Sequence, residues 1–176
     1  MKKHLIPNAL TFARIAIIPL CIGLWYADVP TLYGWLCALF VAASLTDFLD
    51  GYLARSWNVV SPLGAMLDPM ADKLLVATLL ILLTHDAQIP VLITLVIILR
   101  EIFIAGLREC LALQHIALPV SRGGKWKTAL QMIALSLLLF ALSLHNNELK
   151  DIATVLLALS ASLALISAYH YTRYAT

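Results

Sequence analysis

Six apolar runs follow one another along the chain with only short polar connections between them, at about residues 7–27, 31–54, 63–84, 89–113, 124–144 and 150–172. Each is continuously apolar over roughly 15 residues or more, with none of the period-two alternation of a barrel strand, so the pattern predicts helices. A membrane-crossing helix needs about 20 apolar residues, and each run supplies that length. The expected fold is all-α and integral to a membrane: six transmembrane helices in one bundle, with residues 1–176 as a single catalytic domain. No repeat, linker or low-complexity segment interrupts it.

Composition strengthens this reading. With 62% hydrophobic and 12% charged residues and a mean hydropathy of +0.91, the chain has too few polar residues to cover a water-soluble globule. The basic residues set an orientation. Lys2 and Lys3, Arg55, Arg122 with Lys125 and Lys127, and Arg173 mark the N-terminus, the second and fourth connections and the C-terminus. The first and third connections carry no Lys or Arg, and the fifth has Lys150 beside Glu148 and Asp151. Both termini are therefore expected in the cytoplasm. The start resembles a signal peptide, but Arg14 interrupts its apolar run and no small-residue cleavage site follows. Cys21, Cys37 and Cys110 are odd in number and lie in predicted spans, which suits buried packing residues rather than a disulfide framework.

Charged residues inside such spans change the picture most. Asp47, Asp50, Asp68 and Asp72 punctuate apolar helical sequence at the cytoplasmic ends of the second and third runs. A carboxylate in hydrocarbon costs about 2.5–3.5 kcal/mol on insertion scales, so the group needs cations, water or both. At about 100° per residue, Asp50, Gly51 and Ala54 all lie within about 60° of Asp47, forming one acidic stripe that is otherwise small. Gly64, Asp68 and Asp72 recur every four residues and form a second. A single Asp near a helix end is ordinarily a cap or a solvated rim residue; four at this spacing, with both glycines, point instead to a carboxylate cup. Oxygen-only donors without His or Cys suit hard divalent cations such as Mg²⁺ or Mn²⁺, and four carboxylates can hold two. A divalent-cation transporter would also use such acids, but its site should be reachable from either side, whereas these crowd toward one face.

The pattern Asp47-x2-Asp50-Gly51-x2-Ala54-Arg55-x8-Gly64-x3-Asp68-x3-Asp72 resembles the signature of the CDP-alcohol phosphotransferase family at every fixed position. The resemblance implies a six-helix membrane enzyme, commonly a homodimer, that uses divalent metal to displace CMP from a CDP-linked lipid by an acceptor hydroxyl. It implies Asp47, Asp50, Asp68 and Asp72 as metal ligands and Asp72 also as the general base. Asp47, Asp50, Gly51, Ala54, Arg55, Gly64 and Asp68 match the CDP-binding part, with Asn8 and Thr11 as candidate contacts to the CDP-lipid on the first helix.

Pro7-Asn8-Ala9-Leu10-Thr11-x2-Arg14, Arg100-Glu101, Leu107-Arg108-Glu109 and Gly124-Lys125-Trp126-Lys127-Thr128 resemble the phosphatidylglycerophosphate synthase branch. That branch implies CDP-diacylglycerol and sn-glycerol 3-phosphate as substrates, a bacterial inner-membrane location with the site facing the cytoplasm, and no nucleic-acid partner. A sibling acceptor such as phosphatidylglycerol (forming cardiolipin), an inositol phosphate or serine is the alternative. A dianionic acceptor needs cations, and Arg108, Lys125, Lys127 and Arg14 are the candidates for its phosphate. The positive-inside rule would place Lys127 in the same way. Arg14 stands open between pairing within the bundle, snorkelling and a phosphate contact. Arg100 and Glu101 point about 100° apart, so they are expected to meet charges on neighbouring helices rather than each other. Lys73, next to Asp72, is open between rim cation, phosphate contact and acid partner. Trp25, Tyr26 and Trp126 read as interfacial anchors, and the five His are too scattered for a metal set.

Overall fold

In the computed structural model the backbone is described for residues 5–57, 62–113 and 122–175, and side chains for 12–46, 67, 70–113 and 126–169. Among them the elements are six helices and no strand: α1 Leu5–Tyr26, α2 Leu32–Trp57, α3 Pro62–His85, α4 Val91–Leu113, α5 Arg122–Ser143 and α6 Asn147–Ala175. Each falls within a few residues of an apolar run, because connections this short leave the chain little room to end its helices elsewhere.

The helix ends have identifiable causes. Pro62 opens α3 at the first helical position, where a backbone N–H would have no intrahelical partner. Asp28, Ala87 and His145, just beyond the ends of α1, α3 and α5, adopt left-handed φ of 48°, 55° and 53°. After α3, Gln88 N donates to Leu83 O at 2.9 Å and Ala87 N to Thr84 O at 3.0 Å, which closes the last turn. After α5, Asn146 N donates to Ala141 O at 3.0 Å while Asn146 Oδ1 accepts from Leu149 N at 3.0 Å. Asn146 thus ends one helix and caps the next. Pro19 lies inside α1 without breaking it.

The chain divides into two compact units, Met1–Leu82 and Leu83–Thr176. In the first, α1 packs on α2, and Cys21, Leu36, Phe40, Ala43, Ala71, Leu75 and Leu79 are buried. In the second, α6 packs on both α5 and α4. Small residues are buried along the α5 and α6 faces: Ala134 and Ala141 on one, Ala153, Ser160, Ala161 and Ala164 on the other. They let the two backbones approach closely, and Leu135, Leu138, Leu139 and Leu157 are fully buried beside them in sequence.

Some charged and polar side chains are buried while large apolar ones face outward. Arg14, Arg100, Lys127, Gln131 and Ser160 are buried, whereas Leu92, Leu95, Leu99, Ile102 and Phe103 on α4 and Ile152, Val155, Leu159 and Leu163 on α6 face outward. Hydroxyls along the helices turn back onto their own backbone, Ser44 Oγ to Phe40 O at 2.7 Å, Thr78 Oγ1 to Leu74 O at 2.8 Å and Thr154 Oγ1 to Lys150 O at 2.8 Å. Among the described residues, Trp126–Ser143 and Asn147–Tyr169 are long and apolar enough to cross a membrane. In α4, Arg100, Glu101, Arg108 and Glu109 break the apolar run.

Two expectations need correcting. Of the three cysteines expected to be buried packing residues, Cys21 is buried, Cys37 is half-buried and Cys110 is exposed, on the outer side of α4 with Glu109 and Leu113. Arg100 and Glu101 do pair, at 2.9 Å from Nη1 to Oε1. The 100° offset between neighbouring helical positions separates their Cβ atoms, but both side chains are long enough to curl along the helix surface and meet.

Candidate active site

In the first unit the backbone through Asp47, Asp50, Gly51, Ala54 and Arg55 is continuous helix, as is that through Gly64, Asp68 and Asp72. The i, i+3, i+4, i+7 register along α2 and the i, i+4, i+8 register along α3 therefore hold, and each set of positions shares one helical face. The side chains of Asp47, Asp50, Arg55 and Asp68, the surroundings of Gly51, Ala54 and Gly64, and the candidates Asn8, Thr11 and Lys125 lie outside those described.

Asp72 is described, and its setting is specific. Arg14 Nη1 of α1 stands 3.0 Å from Asp72 Oδ1 of α3. The arginine side chain is 1% exposed and the aspartate side chain 36%. A guanidinium buried this completely requires a countercharge, which Asp72 supplies from a neighbouring helix. The sequence presents both residues but does not pair them. The available signal is the pairing requirement itself: an arginine midway along an apolar helix needs an acid, and Asp72 is on one of the two acidic stripes in the chain. Lys73, next along α3, is exposed.

The second unit holds its own charge cluster. Glu101 Oε1 of α4 accepts from Arg100 Nη1 of the same helix at 2.9 Å and from Lys127 Nζ of α5. Arg100 also donates from Nε to Ala164 O at 3.2 Å and from Nη2 to Ser167 Oγ at 3.4 Å, both on α6. One carboxylate and two cations therefore tie α4, α5 and α6 together. Lys127 is buried in this cluster, and Arg108 is exposed. Of the acceptor-phosphate candidates, these are the two described in this unit; Arg14 belongs to the first.

Comparison with known proteins agrees with the aspartate signature. The family model for CDP-alcohol phosphatidyltransferase matches residues 4–166. A Rickettsia bellii protein named CDP-diacylglycerol–glycerol-3-phosphate 3-phosphatidyltransferase is 44% identical over 167 residues, covering 94% of this chain and 92% of its own. A Rickettsia typhi protein of the same name is 43% identical over 167 residues, covering 94% of each. An Oryza sativa subsp. japonica protein named cardiolipin synthase (CMP-forming) is 40% identical over 189 residues, covering 98% of this chain and 57% of its own. A match that runs through both acidic stripes, into α6 and across nearly the whole chain leaves one conclusion: the chain belongs to the CDP-alcohol phosphatidyltransferase family.

Proposed function

We propose that this protein transfers the phosphatidyl group from CDP-diacylglycerol to sn-glycerol 3-phosphate, giving phosphatidylglycerophosphate and CMP. The observation that carries the reading is 43–44% identity, over 94% of the chain, to relatives bearing that name, with all four aspartates of the signature present in helical register.

The chemistry follows from the residues. The primary hydroxyl of the acceptor gives up its proton to the Asp72 carboxylate and attacks the phosphorus that bears diacylglycerol. A new phosphorus–oxygen bond forms, the anhydride bond to CMP breaks, and CMP leaves with the electron pair. Asp72 suits the base role because its side chain is partly accessible and its charge is balanced from the buried side by Arg14. The donor set of Asp47, Asp50, Asp68 and Asp72 is oxygen-only and at least partly accessible at Asp72, which fits hard divalent ions such as Mg²⁺ or Mn²⁺. Two such ions would supply charge stabilisation on the pyrophosphate and the departing CMP.

We read all six helices as membrane spans, with both termini and the aspartates on the cytoplasmic side and the enzyme a homodimer. The inward charges, the self-satisfied hydroxyls and the outward leucines support the spans. The lipid chains would enter sideways between helices, since only the head group is polar.

A second acceptor has a specific argument in its favour, the likeness to a cardiolipin synthase. Purified protein given CDP-diacylglycerol together with glycerol 3-phosphate, phosphatidylglycerol, serine or an inositol phosphate separates the two by lipid product. Phosphatidylglycerophosphate is expected from the first. A product only with phosphatidylglycerol would overturn the acceptor assigned here.

A further inference from the structure

We infer that Arg14 is the positioning residue for Asp72: it holds the carboxylate from its buried side so that the accessible side meets the acceptor hydroxyl, and it does not itself bind a substrate phosphate. The inference rests on the base role given to Asp72 above.

Three observations carry it. Arg14 lies midway along α1, between outward-facing Phe12, Ala13 and Ala16, yet its side chain turns inward and is 1% exposed. Long cationic side chains near the ends of apolar helices extend toward water, whereas Arg14, midway along α1, turns to a carboxylate on a neighbouring helix. Next, the ion pair crosses from one helix to another, with Nη1 3.0 Å from Oδ1, so the carboxylate faces a cation that α3 does not itself provide. Finally, the exposure is asymmetric, 1% against 36%, which places the cation behind the carboxylate and leaves accessible surface on the acid. A general base must come within about 2.6–3.2 Å of the proton it takes. A displacement of about 1 Å can cost about 10²-fold in rate, so fixing one aspartate oxygen from behind is a direct way to set the reach of the group.

The test uses the full chain in detergent micelles, as wild type and as Arg14→Gln, Arg14→Lys, Asp72→Asn and Arg14→Gln/Asp72→Asn. Steady-state rates are measured against CDP-diacylglycerol and glycerol 3-phosphate separately, and melting temperatures on the same samples. Arg14→Gln should lower kcat by about 10- to 100-fold with both KM values within about threefold of wild type. Arg14→Lys should recover part of kcat, because it restores the charge without the rigid fork. Arg14→Gln should lower the melting temperature less in the Asp72→Asn background than in wild type, which reads the contact without relying on turnover. If Arg14→Gln does not fold, the kcat-against-KM split of Arg14→Lys carries the test. A KM for either substrate raised about tenfold or more with kcat retained would overturn the inference in favour of a phosphate contact. Equal melting shifts in the two backgrounds would overturn it as well. Wild-type protein that releases no CMP with any acceptor would remove the reaction reading, and this role with it, while the melting cycle still reported the pair.

Discussion

Lys127 of α5 and Glu101 of α4 form an ion pair in the interior of the second unit, on the same carboxylate oxygen that Arg100 uses. Glu101 is the acid that these two buried cations share, and Arg100 passes the connection on to α6 through Ala164 O. Three helices are thus joined at one carboxylate. Removing the acid from a buried pair costs about 3–5 kcal/mol, and Glu101 is partly exposed, so Glu101→Gln should destabilise the protein by about 3 kcal/mol. Adding Lys127→Met should restore part of the loss, because one of the two buried cations that lost their shared carboxylate is then gone. Thermal unfolding of the two variants in one detergent checks both expectations.

Asp72 carries the proton in the proposed reaction. Asp72→Asn keeps the shape of the side chain but cannot accept a proton, so turnover should fall by at least about 10²–10⁴-fold while the protein remains folded. Release of CMP from CDP-diacylglycerol, measured beside the melting temperature, decides it. A variant with near-normal rate would remove the base assignment.

Metal removal should separate binding from catalysis. With excess chelator, CMP release should stop, and added Mg²⁺ or Mn²⁺ should restore it. Binding of Mn²⁺ followed by its electron paramagnetic resonance signal should weaken in Asp68→Asn and in Asp47→Asn, giving a readout that does not require turnover. Unchanged Mn²⁺ binding in both would end the proposal that these acids hold the ions.

Ala87 adopts a φ of 55° at the end of α3, where its Cβ is strained. Left-handed conformation costs an L-residue about 1–2 kcal/mol, and glycine gives back part of the gain through a looser unfolded chain. Ala87→Gly should therefore stabilise the protein by about 0.5–1 kcal/mol and leave turnover unchanged. A lower melting temperature would mean that the methyl group contributes packing worth more than the backbone strain.

Much of this architecture is set by the sequence alone. Apolar runs without period-two alternation, separated by short connections, read as helices, and the six helices form where those runs lie. Helical periodicity likewise places Asp47, Asp50, Gly51 and Ala54 on one face, and Gly64, Asp68 and Asp72 on another, from spacing alone. Tertiary structure decided the partners of the buried cations. Spacing gives the direction of a Cβ, but the end of an arginine, lysine or glutamate side chain lies several bonds further out and goes where an opposite charge on another helix allows. Arg14 therefore met Asp72 of α3 instead of standing open, Lys127 met Glu101, and Arg100 and Glu101 closed on each other despite their offset. Periodicity is a property of one helix, whereas charge pairing depends on which faces of several helices come together, and that is fixed only when the helices pack.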